Sequence, residues 1–248
     1  MHEHYGQMIA ERREEILSIA NDAVRQSGRT LEDIELVAVS KTVDVPQVVA
    51  ALEAGYRTFG ENRPQELVRK LEGLTAINDL TELPPYRFDM IGNLQTNKIN
   101  VVLGRVELVH SIGSVHLAEA VSSRAQRRIE AGQMDAPQRV LIEVNMGGEA
   151  TKGGFALSEL REHMEELQNL CGISIQGLMT MAPRGNKDVA RECFAGLRDL
   201  RDELVASSGL ALPELSCGMS EDFDVALAEG STIVRLGRVV FDPAFAVR

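Results

Sequence analysis

The chain has 248 residues, enough for one large α/β barrel or two small domains. Hydrophobic residues make up 44%, which supplies a sizeable core and excludes a disordered chain. The formal net charge of -11 argues against a nucleic-acid backbone as partner, and no apolar run approaches the roughly 20 residues of a membrane helix.

The basic cluster Arg124, Arg127 and Arg128 has helical spacing and reads as a solvated helix face. Cys171, Cys193 and Cys217 are scattered without C-x-x-C spacing, so neither a disulfide framework nor a zinc site is expected. The opening Met1-His2-Glu3-His4-Tyr5 lacks the basic and apolar regions of a secretory signal, and a cytoplasmic location is expected.

In chain order, Met8, Ile9, Ile16, Leu17, Ile19, Ala20 and Val24 give an amphipathic first helix that Ser27-Gly28 stops. Short apolar runs then alternate with helical patterns. The runs are 34–39, Thr58-Phe59, 88–91, 108–111, 140–144, 173–179, 214–217 and 233–236. Segments such as 157–170 and 188–205 read as the helices between them, and 73–85 as a surface loop before the third strand. Eight such repeats close naturally into a (β/α)8 TIM barrel with an extra N-terminal helix, a single domain over 1–248. A doubly wound sheet is the alternative, but its G-x-G-x-x-G fingerprint does not follow the first strand.

In this architecture the site lies at the C-terminal ends of the strands. Those positions read Lys41, Gly60-Glu61-Asn62, Gly92-Asn93, His110-Ser111, Asn145, Thr180, Gly218-Met219-Ser220, Arg235 and Gly237-Arg238. Lys41 follows the apolar strand Leu36-Val37-Ala38-Val39 and is expected in a partly desolvated mouth, which favours the neutral amine that attacks an aldehyde. A lysine snorkelling at a strand end is the plainer alternative. Loops after strands seven and eight commonly hold phosphate in this fold. Here Gly218 and Gly237 let backbone N–H groups approach an anion, and Ser220 is expected to add a hydroxyl and cap a helix opening at Glu221. Ordinary turns and caps would look the same. Arg235 interrupts an apolar strand, which is costly unless it is paired. It either donates to a pyridine nitrogen or makes a salt bridge with an interior carboxylate such as Glu143.

Taken together, the motifs resemble the pyridoxal phosphate homeostasis proteins, the small single-domain relatives of the alanine racemase barrel. The resemblance rests on Ala38-Val39-Ser40-Lys41-Thr42, Phe59-Gly60-Glu61-Asn62 with Gln65-Glu66, Ile91-Gly92 with Leu94-Gln95-Thr96-Asn97-Lys98, and His110-Ser111-Ile112. It continues through Glu143-Val144-Asn145, Glu149 with Lys152, Gly177-Leu178-Met179, Gly218-Met219-Ser220 with Asp222, Ala228 with Gly230-Ser231-Thr232, and Val234-Arg235 with Gly237. It implies a fold type III barrel with pyridoxal 5′-phosphate (PLP) held as an internal aldimine, a Schiff base, on Lys41. It also implies Arg235 at the ring nitrogen, Ser220 with backbone of Gly237 and Arg238 at the phosphate, and Asn62 and Met179 lining the ring pocket. Asn97 and Lys98 are expected to be structural. The sequence departs from the family pattern at Asp89, usually His, at Gly113, usually Asp, and at Arg238 with Val240-Phe241-Asp242, where a small hydroxyl residue and Ile-Phe-Gly are usual.

The expected function is PLP homeostasis: a carrier or buffer that serves PLP-dependent apoenzymes, probes no nucleic acid or membrane, and works as a monomer. A racemase-like enzyme is the alternative. It needs a second base, which the resemblance implies is a tyrosine delivered with a further β domain and a partner subunit. The chain stops a few residues after its eighth strand, and Tyr5, Tyr56 and Tyr86 fall in the opening helix or at strand starts. A lysine-dependent aldolase would leave Arg235 unexplained and would have Glu61 as its only obvious acid or base.

Overall fold

In a computed structural model of the chain, eight parallel strands form a closed barrel in sequence order, with the eighth returning to pair with the first. The structure describes residues 2–148 and 153–247, except the side chains of 2 and 3; Glu149 and Lys152 of the family pattern lie outside the described residues. The elements are α1 (His2–Gln26), β1 (Glu35–Val39), α2 (Val45–Glu53), β2 (Thr58–Glu61), α3 (Pro64–Asn78), β3 (Arg87–Met90), α4 (Ile99–Val102) and β4 (Leu108–Ile112). They continue with α5 (Val115–Glu130), β5 (Gln138–Glu143), α6 (Leu157–Gln168), β6 (Ile173–Met179), α7 (Lys187–Ser208), β7 (Glu214–Ser216), α8 (Phe223–Ala228), β8 (Ile233–Leu236) and α9 (Arg238–Phe241).

The expected strands and helices are therefore present, with two corrections. Strand β2 continues past Phe59, because Gly60 and Glu61 pair with Asp89 and Met90 of β3. Helix α3 runs on to Asn78, so 73–78 is helix rather than loop. Gly73 is tolerated there because α2 crosses closely: a Cβ at this position would lie 2.7 Å from Val45 Cγ2. Tertiary packing outweighs the glycine's cost of about 1 kcal/mol in a helix.

Helix α1 buries Ile9, Ile16, Ala20 and Val24, and Gly28 ends it in a left-handed turn (φ 71°). Its polar side clasps the end of the chain. Arg12 donates to the carbonyls of Asp242 (2.5 Å) and Phe245 (2.6 Å), and the Tyr5 hydroxyl donates to that of Phe241 (2.8 Å). Between β6 and β7 only glycine fits at 177, where φ is 156° and a Cβ would meet the Glu214 carbonyl at 1.8 Å.

Alternation along the strands layers the barrel interior. Val37, Leu108, Leu141, Met179 and Ile233 form one buried apolar cluster, separate from the main core between strands and helices. Two residues further along four of these strands stand Val39, His110, Glu143 and Arg235, on the same face by the period of two. The apolar layer is thus a floor, each side chain contributing about 1.5–3 kcal/mol, and a second layer, polar except for Val39, sits on it beneath the mouth.

Candidate functional site at the C-terminal mouth of the barrel

A cavity of about 1070 Å³ opens at the C-terminal ends of the strands, lined by Lys41, Asn62, Ser220, Arg235, Gly237 and Arg238 among others. Six of the seven expected site residues are brought together there. Met179 is not: it is 1% exposed in the apolar floor, and Met181, two residues on and 40% exposed, lines the cavity in its place. Lys41 faces the cavity but is exposed, so the partial desolvation expected at the mouth is not provided by the barrel itself. Gly92 lets the β2 and β3 ends converge, since a Cβ there would fall 2.4 Å from the Asn62 carbonyl. Ser111 Oγ donates to the Gly92 carbonyl at 2.6 Å and holds that turn.

Arg235 is 5% exposed. Its Nη1 donates to the carbonyl (2.8 Å) and hydroxyl (2.6 Å) of Ser216, and its Nη2 donates to the Thr180 carbonyl (3.1 Å). The salt bridge to Glu143 that the sequence left open is absent; among the described residues no carboxylate stands within ion-pair distance of Arg235. Burial lowers its pKa from the usual arginine value, and Cys217, Asp222 and Glu143 oppose this at longer range. Burial likewise raises the Glu143 carboxyl, with Arg235 opposing.

The Ser216 contact leads deeper. Ser216 Oγ lies 2.9 Å from His110 Nδ1, and His110 Nε2 lies 3.2 Å from Asp89 Oδ2, every member being buried. Donor rules give the chain one direction. Arginine only donates, so Ser216 accepts from Arg235; with a neutral imidazole, Ser216 then gives its own proton to Nδ1 and Nε2–H points at Asp89. A cation at the cavity floor is thereby connected to an anion across the barrel.

The strand-seven and strand-eight loops form the far wall. Gly218 adopts φ 92°, and a Cβ there would meet Ala226 Cβ at 2.6 Å, so this turn packs directly on α8. The expected Ser220 cap is corrected: α8 begins at Phe223, and Asp222 Oδ1 accepts from Met219 N at 2.6 Å. Ser220 Oγ instead accepts from Val239 N at 3.2 Å, tying the two loops together. The first backbone bond of the α9 turn runs from Val240 N to Gly237 O (3.0 Å), so the N–H groups of Gly237 and Arg238 precede it.

The whole chain bears out this architecture in comparison. Residues 20–243 match the family model "alanine racemase, N-terminal domain". A pyridoxal phosphate homeostasis protein of Aquifex aeolicus is 40% identical over 93% of this chain and 96% of its own. The chain belongs to the pyridoxal phosphate homeostasis protein family. A solved protein of Bifidobacterium adolescentis superposes with a TM-score of 0.86 at 36% identity, over 96% of both chains. PipY of Synechococcus elongatus, solved with PLP bound, superposes at 0.78 with 31% identity, over 94% of this chain and 99% of that one.

The departures from the family pattern have local structural reasons. Asp89 receives His110, as above. Gly113 faces a close loop, since a Cβ would lie 3.1 Å from Gly154 N and a larger residue would push that backbone away. The Arg238 guanidinium is already engaged: it donates to Glu221 Oε1 at 2.6 Å and stacks 4.9 Å from the centroid of Phe245. Asn97 and Lys98 lie in a 3-10 turn (Thr96–Lys98) away from the cavity lining, as expected of structural residues.

Two roles escaped the sequence reading. Asp89 stood out only as a departure from the family pattern, although a carboxylate between the apolar Phe88 and Met90 signals a buried partner. Lys70 gave a signal of its own, occupying the apolar face of α3 between Leu67 and Leu74.

Proposed function

We propose that the protein holds and supplies PLP for its homeostasis, with the cofactor attached to Lys41. The observation that carries the reading is one cavity with an accessible amine, a buried arginine and an anion-accepting pair of loops, matching an aldehyde, a ring nitrogen and a phosphate. When bound, PLP would supply an aldehyde and an electron-withdrawing ring. Lys41, whose amine is exposed at the cavity, is the residue that would hold the aldehyde carbon. Arg235, held by Ser216 and the Thr180 carbonyl, would face the ring nitrogen as a donor that keeps its own proton, which would leave the ring a weak electron sink. Ser220 with the N–H groups of Gly237 and Arg238 holds the phosphate, and Asn62 lines the ring pocket.

Storage rather than turnover fits the proton inventory. Tyr5 bonds to Phe241, and Tyr56 and Tyr86 precede β2 and β3 at the opposite end of the barrel, so no tyrosine faces Lys41 across the cavity. Delivery to apoenzymes in the cytoplasm follows from this reading. The test is the absorption spectrum of the PLP-loaded protein before and after borohydride, with mass analysis of the modified peptide. A reducible adduct on Lys41, lost in Lys41→Ala, is expected. A stoichiometric adduct on another lysine overturns the assignment, and sustained racemisation of L-alanine above that by free PLP overturns the carrier role.

A further inference from the structure

The turn that presents Lys41 is anchored from behind by an ion pair that lies outside the cavity lining. Lys70 and Glu61 are both 0% exposed. Lys70 projects from α3 between the buried Leu67 and Leu74, and Glu61 ends β2. The Lys70 ammonium bonds Glu61 Oε1 and also donates to the Ser40 carbonyl at 2.6 Å. The Ser40 hydroxyl donates to the same Glu61 oxygen at 2.6 Å, and Ser40 N donates to the Gly60 carbonyl at 3.0 Å. Val43 N completes the set, donating to the Ser40 carbonyl at 3.0 Å. Every polar atom of the residue before Lys41 is therefore fixed, its carbonyl by an ammonium.

Stability does not account for this arrangement. Desolvating two charges offsets their attraction, and apolar residues of similar size commonly serve as well in a core. Glu61 Oε2 even lacks a hydrogen-bond partner, which adds to the cost. A lysine in the apolar stripe of α3 is thus explained by what its ammonium holds. We propose that Lys70 and Glu61 are positioning residues for Lys41: they fix the Ser40–Lys41 peptide so that the lysine amine meets the aldehyde of a ligand seated on Arg235 and Ser220. The inference rests on Lys41 being the point of attachment. Neither residue lines the cavity; both act through Ser40.

The test compares two ligands on the full-length protein. PLP reports attachment, and pyridoxine 5′-phosphate, which carries an alcohol in place of the aldehyde, reports the pocket alone. Wild type must first give the borohydride-reducible adduct at Lys41; if it does not, the cofactor reading fails before any variant is compared. In the Glu61→Met/Lys70→Met double variant the rate of adduct formation is expected to fall on the order of 10- to 100-fold, the effect of an ångström-scale misplacement. Affinity for pyridoxine 5′-phosphate is expected to stay within roughly twofold, well under the tenfold that 1.4 kcal/mol represents. A folded double variant that attaches PLP at the wild-type rate overturns the proposal. So does a parallel loss for both ligands, which marks a pair that merely supports the barrel. If the double variant does not fold, Ser40→Ala decides, since it removes only the hydroxyl, which bonds Glu61 at 2.6 Å and reaches the Gly60 carbonyl at 3.5 Å. Attachment slowed by roughly threefold or more, with unchanged pyridoxine 5′-phosphate affinity, supports positioning; wild-type attachment overturns it.

Discussion

Removing the middle of the buried chain beneath Arg235 tests whether it is one connected network. Ser216→Ala deletes a hydroxyl that accepts from Arg235 at 2.6 Å and faces His110 Nδ1 at 2.9 Å. Arg235 keeps the Ser216 carbonyl and the Thr180 carbonyl, so its loss is one bond of several. His110 Nδ1 keeps nothing, and an orphaned buried polar group costs about 1–3 kcal/mol. With part of the charge-assisted Arg235 bond added, the total is about 2–4 kcal/mol. For a chain of this size that lowers the melting temperature by about 5–15 °C, read by calorimetry on the ligand-free protein. The His110→Leu/Ser216→Ala double variant discriminates further, because no Nδ1 is left to be orphaned. Its cost should fall short of the two single costs combined by about 1–3 kcal/mol, a coupling typical of neighbours in one network. Additivity within about 0.5 kcal/mol, or a single-variant loss below that size, refutes the connected chain.

Gly218→Ala forces a left-handed φ of 92° on alanine and drives its Cβ to within 2.6 Å of Ala226 Cβ. A loss of about 1–3 kcal/mol is expected, with faster release of PLP because Ser220 shares the turn; denaturant unfolding and dialysis check the two effects. Glu221→Gln releases the Arg238 guanidinium from an exposed ion pair, so stability should change by less than about 1 kcal/mol. The freed guanidinium turns to the phosphate and slows PLP release on the order of tenfold; unchanged or faster release in stopped-flow exchange contradicts this. Burial pushes the Cys217 thiol from 9.0 up to about 11. A raised thiol favours the folded state while protonated, so its contribution is complete below pH 9.0 and is lost as pH rises through about 11. The stability gap between wild type and Cys217→Ala, followed by urea unfolding, should close over that window, and a gap that widens there is incompatible with a buried thiol.

Much of the site was legible because its members break local rules in a regular way. Lys41 stands just past four apolar residues and Ser40, and Arg235 interrupts a strand, so each stands out against period-two or continuous apolar patterns. Gly218 stood out as a residue for close approach and packs tightly on Ala226, whereas a Cβ at Gly237 would meet only ordinary contacts from 3.5 Å, and the close fit of Gly92 on Asn62 had no such signal. Met179 misled for a physical reason: in a barrel only alternate residues face the axis, and the strand's last inward residue sits in the floor, one step below the mouth. The partners of Arg235 were hidden by distance along the chain, since His110 lies 106 residues before Ser216 and Asp89 another 21 before that.

The polar layer nevertheless obeys a rule that a sequence can carry. His110, Glu143 and Arg235 each lie two residues beyond an inward apolar residue, Leu108, Leu141 and Ile233. The same period that builds the floor therefore dictates where polar side chains must rise from it, once the strands are known to close. Lys70 has no such periodic marker. A long side chain within an amphipathic helix can snorkel to water as easily as it can turn inward, and only the barrel's closure decides, by placing Ser40 and Glu61 within its reach. Closure is the one property that no single stretch of sequence contains, and it is what turns an unremarkable helix lysine into the group that holds the peptide before Lys41.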